Sequence, residues 1–146
     1  MRDESGKTPE EMLSFGLVNA ASDVLRIAEL VLSGRIEAAK GNTDQAVAQL
    51  TEAVSAEDAL TYIEPSDWSS PTRHTLGAVL LGAKRFKEAE RTFREDLVKT
   101  PENGWALFGL AEALKQSGDA KGAEEAMARF AKSWAKQSQL PEFGWY

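Results

Sequence analysis

The 146-residue sequence contains no cysteine. That excludes disulfides, thiolate catalysis and cysteine-ligated zinc. A single histidine, His74, stands outside any HExxH motif, and no Gly-rich phosphate loop or nucleophile motif accompanies it. Proline is scarce: five occur, most of them where a helix would begin or end. Runs alternating Val, Ile, Thr and Tyr are missing, so strands are not expected. No apolar stretch approaches the length needed to span a bilayer, and the opening residues Met1 to Lys7 lack the apolar centre of a signal peptide. A cytoplasmic location is therefore expected. Positive charge is in deficit, with 17 Lys and Arg against 23 Asp and Glu, for a net charge of -6. Partners that need a basic face, nucleic acid and anionic membrane, are not expected. The one basic cluster, Lys84, Arg85 and Lys87, runs directly into Glu88 and Glu90 and reads as a solvated helix start.

What remains is a helix-forming composition. Hydrophobic residues make up 42% and charged residues 27%, as in an ordinary soluble domain, and the length suits one domain with a real core. Ala, Leu, Glu and Lys are abundant, all good helix formers. The pattern predicts an all-α fold. Thr8, Pro9 and Glu11 form a capping box for a first helix carrying Met12, Leu13, Phe15, Leu17 and Val18 and ending near Asn19. A second helix starts at Ser22-Asp23, carries Val24, Ile27, Leu30, Val31 and Gly34, and stops at Gly41. The next starts at Asn42-Thr43-Asp44, with Ala46, Val47, Leu50, Ala53 and Val54 on its apolar side. From Asp58 to Pro71 two prolines and Trp68 indicate an ordered loop. Helices follow from about Thr72 to Ala83, from about Phe86 to Lys99, and from Pro101-Glu102 to a break at Gly118-Asp119. The last carries Ala123, Met127, Phe130, Ala131 and Trp134.

The helices repeat. From Leu76-Gly77 the sequence passes Leu80, Ala89, Phe93 and Pro101. A step of 34 residues carries Leu76, Gly77, Leu80, Ala89 and Phe93 onto Leu110, Ala111, Leu114, Ala123 and Met127. Backward, Gly34, Ala46 and Leu50 match Gly77, Ala89 and Phe93 with nine additional residues, which fall in the Pro-containing loop. Small residues at 34, 77 and 111 and at 46, 89 and 123 would let paired helices approach closely, while Leu50, Phe93 and Met127 fill the space between neighbouring pairs. This pattern resembles the tetratricopeptide repeat (TPR) family, whose repeat length is the same. Leu80 replaces the family's aromatic and Arg73 its tryptophan. Ser33 and Glu37 depart from the pattern, which leaves the first pair open to a different packing. The resemblance spans roughly residues 22–136, and the segment Pro101 to Leu110 looks like the closing repeat of bacterial multi-TPR proteins.

The resemblance implies a right-handed α-solenoid of about three helix-turn-helix repeats plus an N-terminal helix that caps the open end. The expected division is a flexible segment 1–7, one repeat domain 8–138 and an aromatic tail 139–146. It further implies a non-catalytic scaffold that binds a protein or peptide in a concave groove, with no cofactor and no metal. The groove positions would be Val31, Leu32, Arg35, His74, Ala78, Leu81, Trp105, Phe108, Glu112 and Lys115. Trp105 and Phe108 lie three apart on one helical face, either as a binding hot spot or as core. The positions at which some TPR proteins clamp a carboxylate hold Ala28, Val31 and Leu32, so that sub-function is not expected. The loop from Glu64 to His74 is a second candidate. Either it forms a ligand-contacting lip, or Trp68 plugs a gap while Arg73 pairs with Glu64 or Asp67; the second reading is favoured. A catalytic or metal reading would join His74 to Asp67 or Glu64, and no motif supports it. The tail residues Leu140, Phe143, Trp145 and Tyr146 either fold back near Trp134 or enter the groove of a second copy, making a homodimer. A self-associating subunit is thus the alternative to a binding scaffold.

Overall fold

The computed structural model describes residues 18–135. These form six helices: α1 (Ala21–Ala39), α2 (Thr43–Asp58), α3 (Thr72–Gly82), α4 (Phe86–Lys99), α5 (Gly104–Ser117) and α6 (Ala120–Ser133). No strand occurs among the described residues. The expected capping helix around Met12, the boundaries of the flexible segment and the aromatic tail lie outside them.

The helices form three hairpins, α1–α2, α3–α4 and α5–α6, and each hairpin turns through a left-handed residue. Gly41 has φ 83° after α1 and Gly118 has φ 88° after α5; glycine supplies this conformation without a Cβ penalty. The middle hairpin uses Lys84 at φ 60° instead. Two helix starts are secured by their own N-cap side chains. The Asn103 carboxamide accepts from the Ala106 N–H at 3.2 Å, and the Asp119 carboxylate accepts from the Gly122 N–H at 2.9 Å. The Asn103 cap sets the start of α5 at Gly104, later than the Pro101-Glu102 start read from sequence. Glu102 itself adopts φ 59° and belongs to the turn.

The hairpins stack in chain order. α2 packs on α3 and α4 on α5, while the first helices α1, α3 and α5 line up beside one another. The core runs between the pairs. Ala46, Leu50, Ala89 and Phe93 are fully buried. Phe93 sits between two glycines: a Cβ placed on Gly77 would come within 2.4 Å of its ring, and one on Gly109 within 2.3 Å. The ring thus fills space that exists because both neighbouring helices lack a side chain there. Leu50 stands in the same relation to Gly34, whose added Cβ would come within 2.6 Å. Despite Ser33 and Glu37, the first pair therefore uses the same small-against-large contact as the second.

The third repeat departs from expectation. Met127, aligned with Leu50 and Phe93, is 41% exposed rather than filling a gap. Leu50 and Phe93 are enclosed because another hairpin follows theirs. Among the described residues none follows α6, so its inward contacts fall to Ala126 and Phe130, both buried.

The segment between α2 and α3 is ordered by hydrogen bonds. The Asn19 side chain donates to the Thr61 carbonyl at 2.9 Å and to the Asp67 carboxylate at 2.8 Å, and it accepts from the Thr61 N–H at 2.7 Å. The hydroxyl of Tyr62 bonds to Glu64. Arg73 pairs with neither Glu64 nor Asp67. It reaches back to the end of α2 and holds Asp58 with two hydrogen bonds of 2.7 and 2.6 Å. The physical reason is direction. Arg73 lies in the first turn of α3, which packs beside the last turn of α2, whereas Asp67 is engaged by Asn19.

Candidate functional site

The clearest concavity lies where the C-terminal halves of α1, α3 and α5 converge. Its volume is about 800 Å³, within the range of sites that enclose a ligand segment. The floor is small and apolar: Ala38 and Ala39 from α1, Ala78, Val79 and Leu81 from α3, Ala83 beyond it, and Phe86 at the start of α4. Arg35 of α1, Lys84 of the turn after α3, and Glu112 and Gln116 of α5 add polar side chains to the lining. The groove exists because the helices present alanine and glycine where larger side chains would fill it.

The sequence-derived residues separate into two sets. Arg35, Ala78, Leu81 and Glu112 come together in this groove. The others lie elsewhere. Val31 packs against the core, and Leu32 is 60% exposed and does not line the groove. Lys115 is exposed and does not line the groove. Trp105 meets Trp134 edge-on with ring centroids 5.4 Å apart, and Phe108 lies 5.4 Å from Phe130 at a tilt of 50°. Both aromatics thus turn toward α6, and Phe130 and Trp134 stack on each other in turn. Trp134 also covers Gly104, where an added Cβ would meet the indole at 2.3 Å. One helical face does carry Trp105 and Phe108, as their spacing requires, but in this fold that face looks onto the partner helix of the hairpin.

The loop residues form a second, polar cluster. Trp68 is half-buried, with its indole nitrogen enclosed and unpaired among the described residues. Arg73 is buried, and its guanidinium also lies 4.0 Å from Glu95. Lys99 adds a third contact to Asp58, at 2.5 Å. The hydrogen bonds from Arg73, outweighing partial burial and assisted by Lys99, hold the Asp58 carboxyl down at about 2. Glu57 accepts from the Thr72 N–H at 2.8 Å and satisfies a free donor at the start of α3. His74 meets neither Asp67 nor Glu64. Its Nε2 lies 3.0 Å from Asp96 of α4, and Asp96 is 3% exposed. The histidine thereby pairs a buried carboxylate between two helices, a role in packing.

Within the basic cluster, Arg85 is paired locally. Arg85 bonds to Glu88 with two contacts of 2.7 Å and to Asp44 at 3.0 Å, and the Glu88 carboxyl is lowered chiefly by that hydrogen bonding. Among the described residues, no three acidic or histidine side chains converge as metal ligands, and no helix is long and apolar enough to cross a membrane.

Residues 80–133 match the family model for the tetratricopeptide repeat. A comparison with curated proteins finds no match. The TPR match runs from the middle of α3 to the last residue of α6, and the α1–α2 hairpin extends the same helical stack toward the N-terminus. TPR segments generally mediate protein–protein interaction, on a fold that generally serves as a non-catalytic scaffold.

Sequence reasoning missed Ala38, Ala39, Ala83, Lys84, Phe86 and Gln116. A signal for them was present. Ala39 follows Arg35 by one helical turn and Gln116 follows Glu112 by one, so each continues the face of a residue already singled out.

Proposed function

We propose that the chain is a non-catalytic binding module that receives a peptide segment of a partner protein in the groove between α1, α3 and α5. The observation that carries this reading is the 800 Å³ concavity itself, lined by alanines, Leu81 and Phe86 and flanked by charges of both signs. An apolar floor supplies affinity without sequence stringency, and Arg35 on α1 with Glu112 on α5 would fix the direction of the peptide. The TPR match supports a protein or peptide as ligand, with no cofactor required. The domain comprises residues 8–138 on this reading.

A peptide library displayed on phage provides the test. Peptides selected on the wild-type chain should lose at least about tenfold in affinity on Ala39→Trp, because the indole would occupy the groove from an exposed helix position. Circular dichroism should show the fold retained. Selected peptides that bind both proteins equally would refute the groove as the site.

The alternative is a self-associating subunit, with the aromatic residues 139–146 entering the groove of a second copy. Light scattering across a range of concentrations separates the two. The binding module is a concentration-independent monomer, and the self-assembler is not.

A further inference from the structure

Asn103 is followed by Gly104, and no other asparagine in the chain is followed by glycine. Asn19 and Asn42 precede Ala20 and Thr43. Asparagine is among the thermolabile residues. The backbone nitrogen of the next residue can attack its side-chain amide carbon. A glycine in that place obstructs the attack least, because no Cβ shields the nitrogen.

The third hairpin calls for both halves of this dipeptide. Asn103 caps α5, its side-chain oxygen accepting from the Ala106 N–H at 3.2 Å, a task that suits asparagine well. Gly104 is held more strictly. A Cβ there would meet the Trp134 indole at 2.3 Å, so the residue after the cap carries no side chain while α6 stays docked. The fold thus places its most labile dipeptide at the start of a helix.

The same geometry keeps the reacting atoms apart. The reaction closes a five-membered ring between the Gly104 nitrogen and Asn103 Cγ, so the nitrogen must eclipse Cβ about the Cα–C bond. Tetrahedral geometry at Cα puts that alignment at a ψ of roughly −120°. Asn103 has ψ 117°, and its side chain is held toward Ala106. Both restraints persist until the start of α5 opens. Trp134, which covers Gly104, stands at the C-cap of α6, and helix ends are where local opening costs least.

We propose that Asn103 is a site of spontaneous modification, converted through a cyclic imide to aspartate and isoaspartate, and that docking of Trp134 over Gly104 gates the reaction. Hydroxide takes the Gly104 amide proton, the nitrogen bonds to Asn103 Cγ, and the side-chain nitrogen leaves as ammonia. Water then opens the imide at one of its two C–N bonds. One opening restores the main chain and leaves an aspartate. The other routes the main chain through the former side chain as isoaspartate. The products differ in consequence. Aspartate still accepts from Ala106 and adds a negative charge at the helix N-terminus, where it is favoured. Isoaspartate inserts a methylene into the main chain, so the cap and the fit of Gly104 under Trp134 are lost together.

For the test, the full chain is incubated at mildly alkaline pH, both native and in concentrated guanidinium chloride, and then digested with trypsin. Cleavage after Lys99 and Lys115 releases residues 100–115, whose one asparagine is Asn103. Conversion reads as a gain of one dalton, and chromatography separates the two products. In denaturant, Asn103 should convert at least about tenfold faster than Asn19 and Asn42; comparable rates at the three would overturn the site. In the native chain, Asn103 should convert at least about tenfold more slowly than in denaturant; equal rates would overturn the gate. Trp134→Ala should speed the native reaction several-fold. No acceleration in a variant with the circular dichroism of the wild type would remove Trp134 as the gate. Should that variant fail to fold, Trp134→Leu, which keeps an apolar contact without the flat ring, takes its place with the same two outcomes.

Discussion

Phe93 and its two glycines give the sharpest energetic prediction. Alanine is favoured over glycine in a helix interior by about 1 kcal/mol, so Gly109→Ala in an unconstrained α5 would stabilise the protein. Here the new methyl would lie 2.3 Å from the tip of the Phe93 ring, and the ring cannot retreat because Gly77 of α3 already touches its other side. Overpacking of a well-filled core costs about 1–3 kcal/mol, and the pinned ring places this case toward the upper end. Gly109→Ala alone should therefore destabilise by about 1–2 kcal/mol after the propensity gain. Phe93→Ala alone should cost about 3–5 kcal/mol, since a fully buried ring is lost and a cavity left behind. In that background the clash has gone, and Gly109→Ala should now stabilise by up to about 1 kcal/mol. The same substitution thus changes sign, with a coupling of about 2–3 kcal/mol between residues in direct contact. Urea unfolding followed by far-ultraviolet circular dichroism on the four proteins of the cycle measures it. A Gly109→Ala effect equal in both backgrounds would refute the claim that the ring defines the spacing between repeats.

Other expectations concern polar groups. His74→Ala removes the side-chain hydrogen bond described for buried Asp96, which should cost about 2–3 kcal/mol; adding Asp96→Asn should recover part of it in urea titrations. Asp58, held down at about 2 by Arg73, contributes stability that is present above the ordinary carboxylate range and lost as pH falls from about 4 toward 2. Its side chain keeps 31% of its exposure, so solvent screening reduces the contribution to about 1 kcal/mol, and Asp58→Asn should flatten thermal stability against pH across that window. Asn103→Ala deletes the cap of α5 and should lower stability by about 1 kcal/mol; a loss below the error of chemical denaturation would show that the turn, not the side chain, sets the start of the helix.

The sequence by itself determined the helices, their pairing and the period of the stack. These features depend on local chemistry: a 3.6-residue apolar pattern, glycines at 41 and 118 where φ is positive, and small residues where Phe93 and Leu50 press against the neighbouring helix. Each leaves a mark at fixed spacing, and a repeat writes the mark more than once. Tertiary structure decided which faces were left open. Trp105 and Phe108 share a face by their spacing, but only the position of α6 turned that face inward onto Phe130 and Trp134. Arg73 and His74 have charged neighbours in the loop, yet their partners are Asp58 and Asp96 on adjacent helices, 15 and 22 residues away. The groove was the hardest feature to read, because it is made of what is missing. Alanines 38, 39 and 83 attract no attention individually, and with Ala78 they bound a cavity only once three helices bring them together.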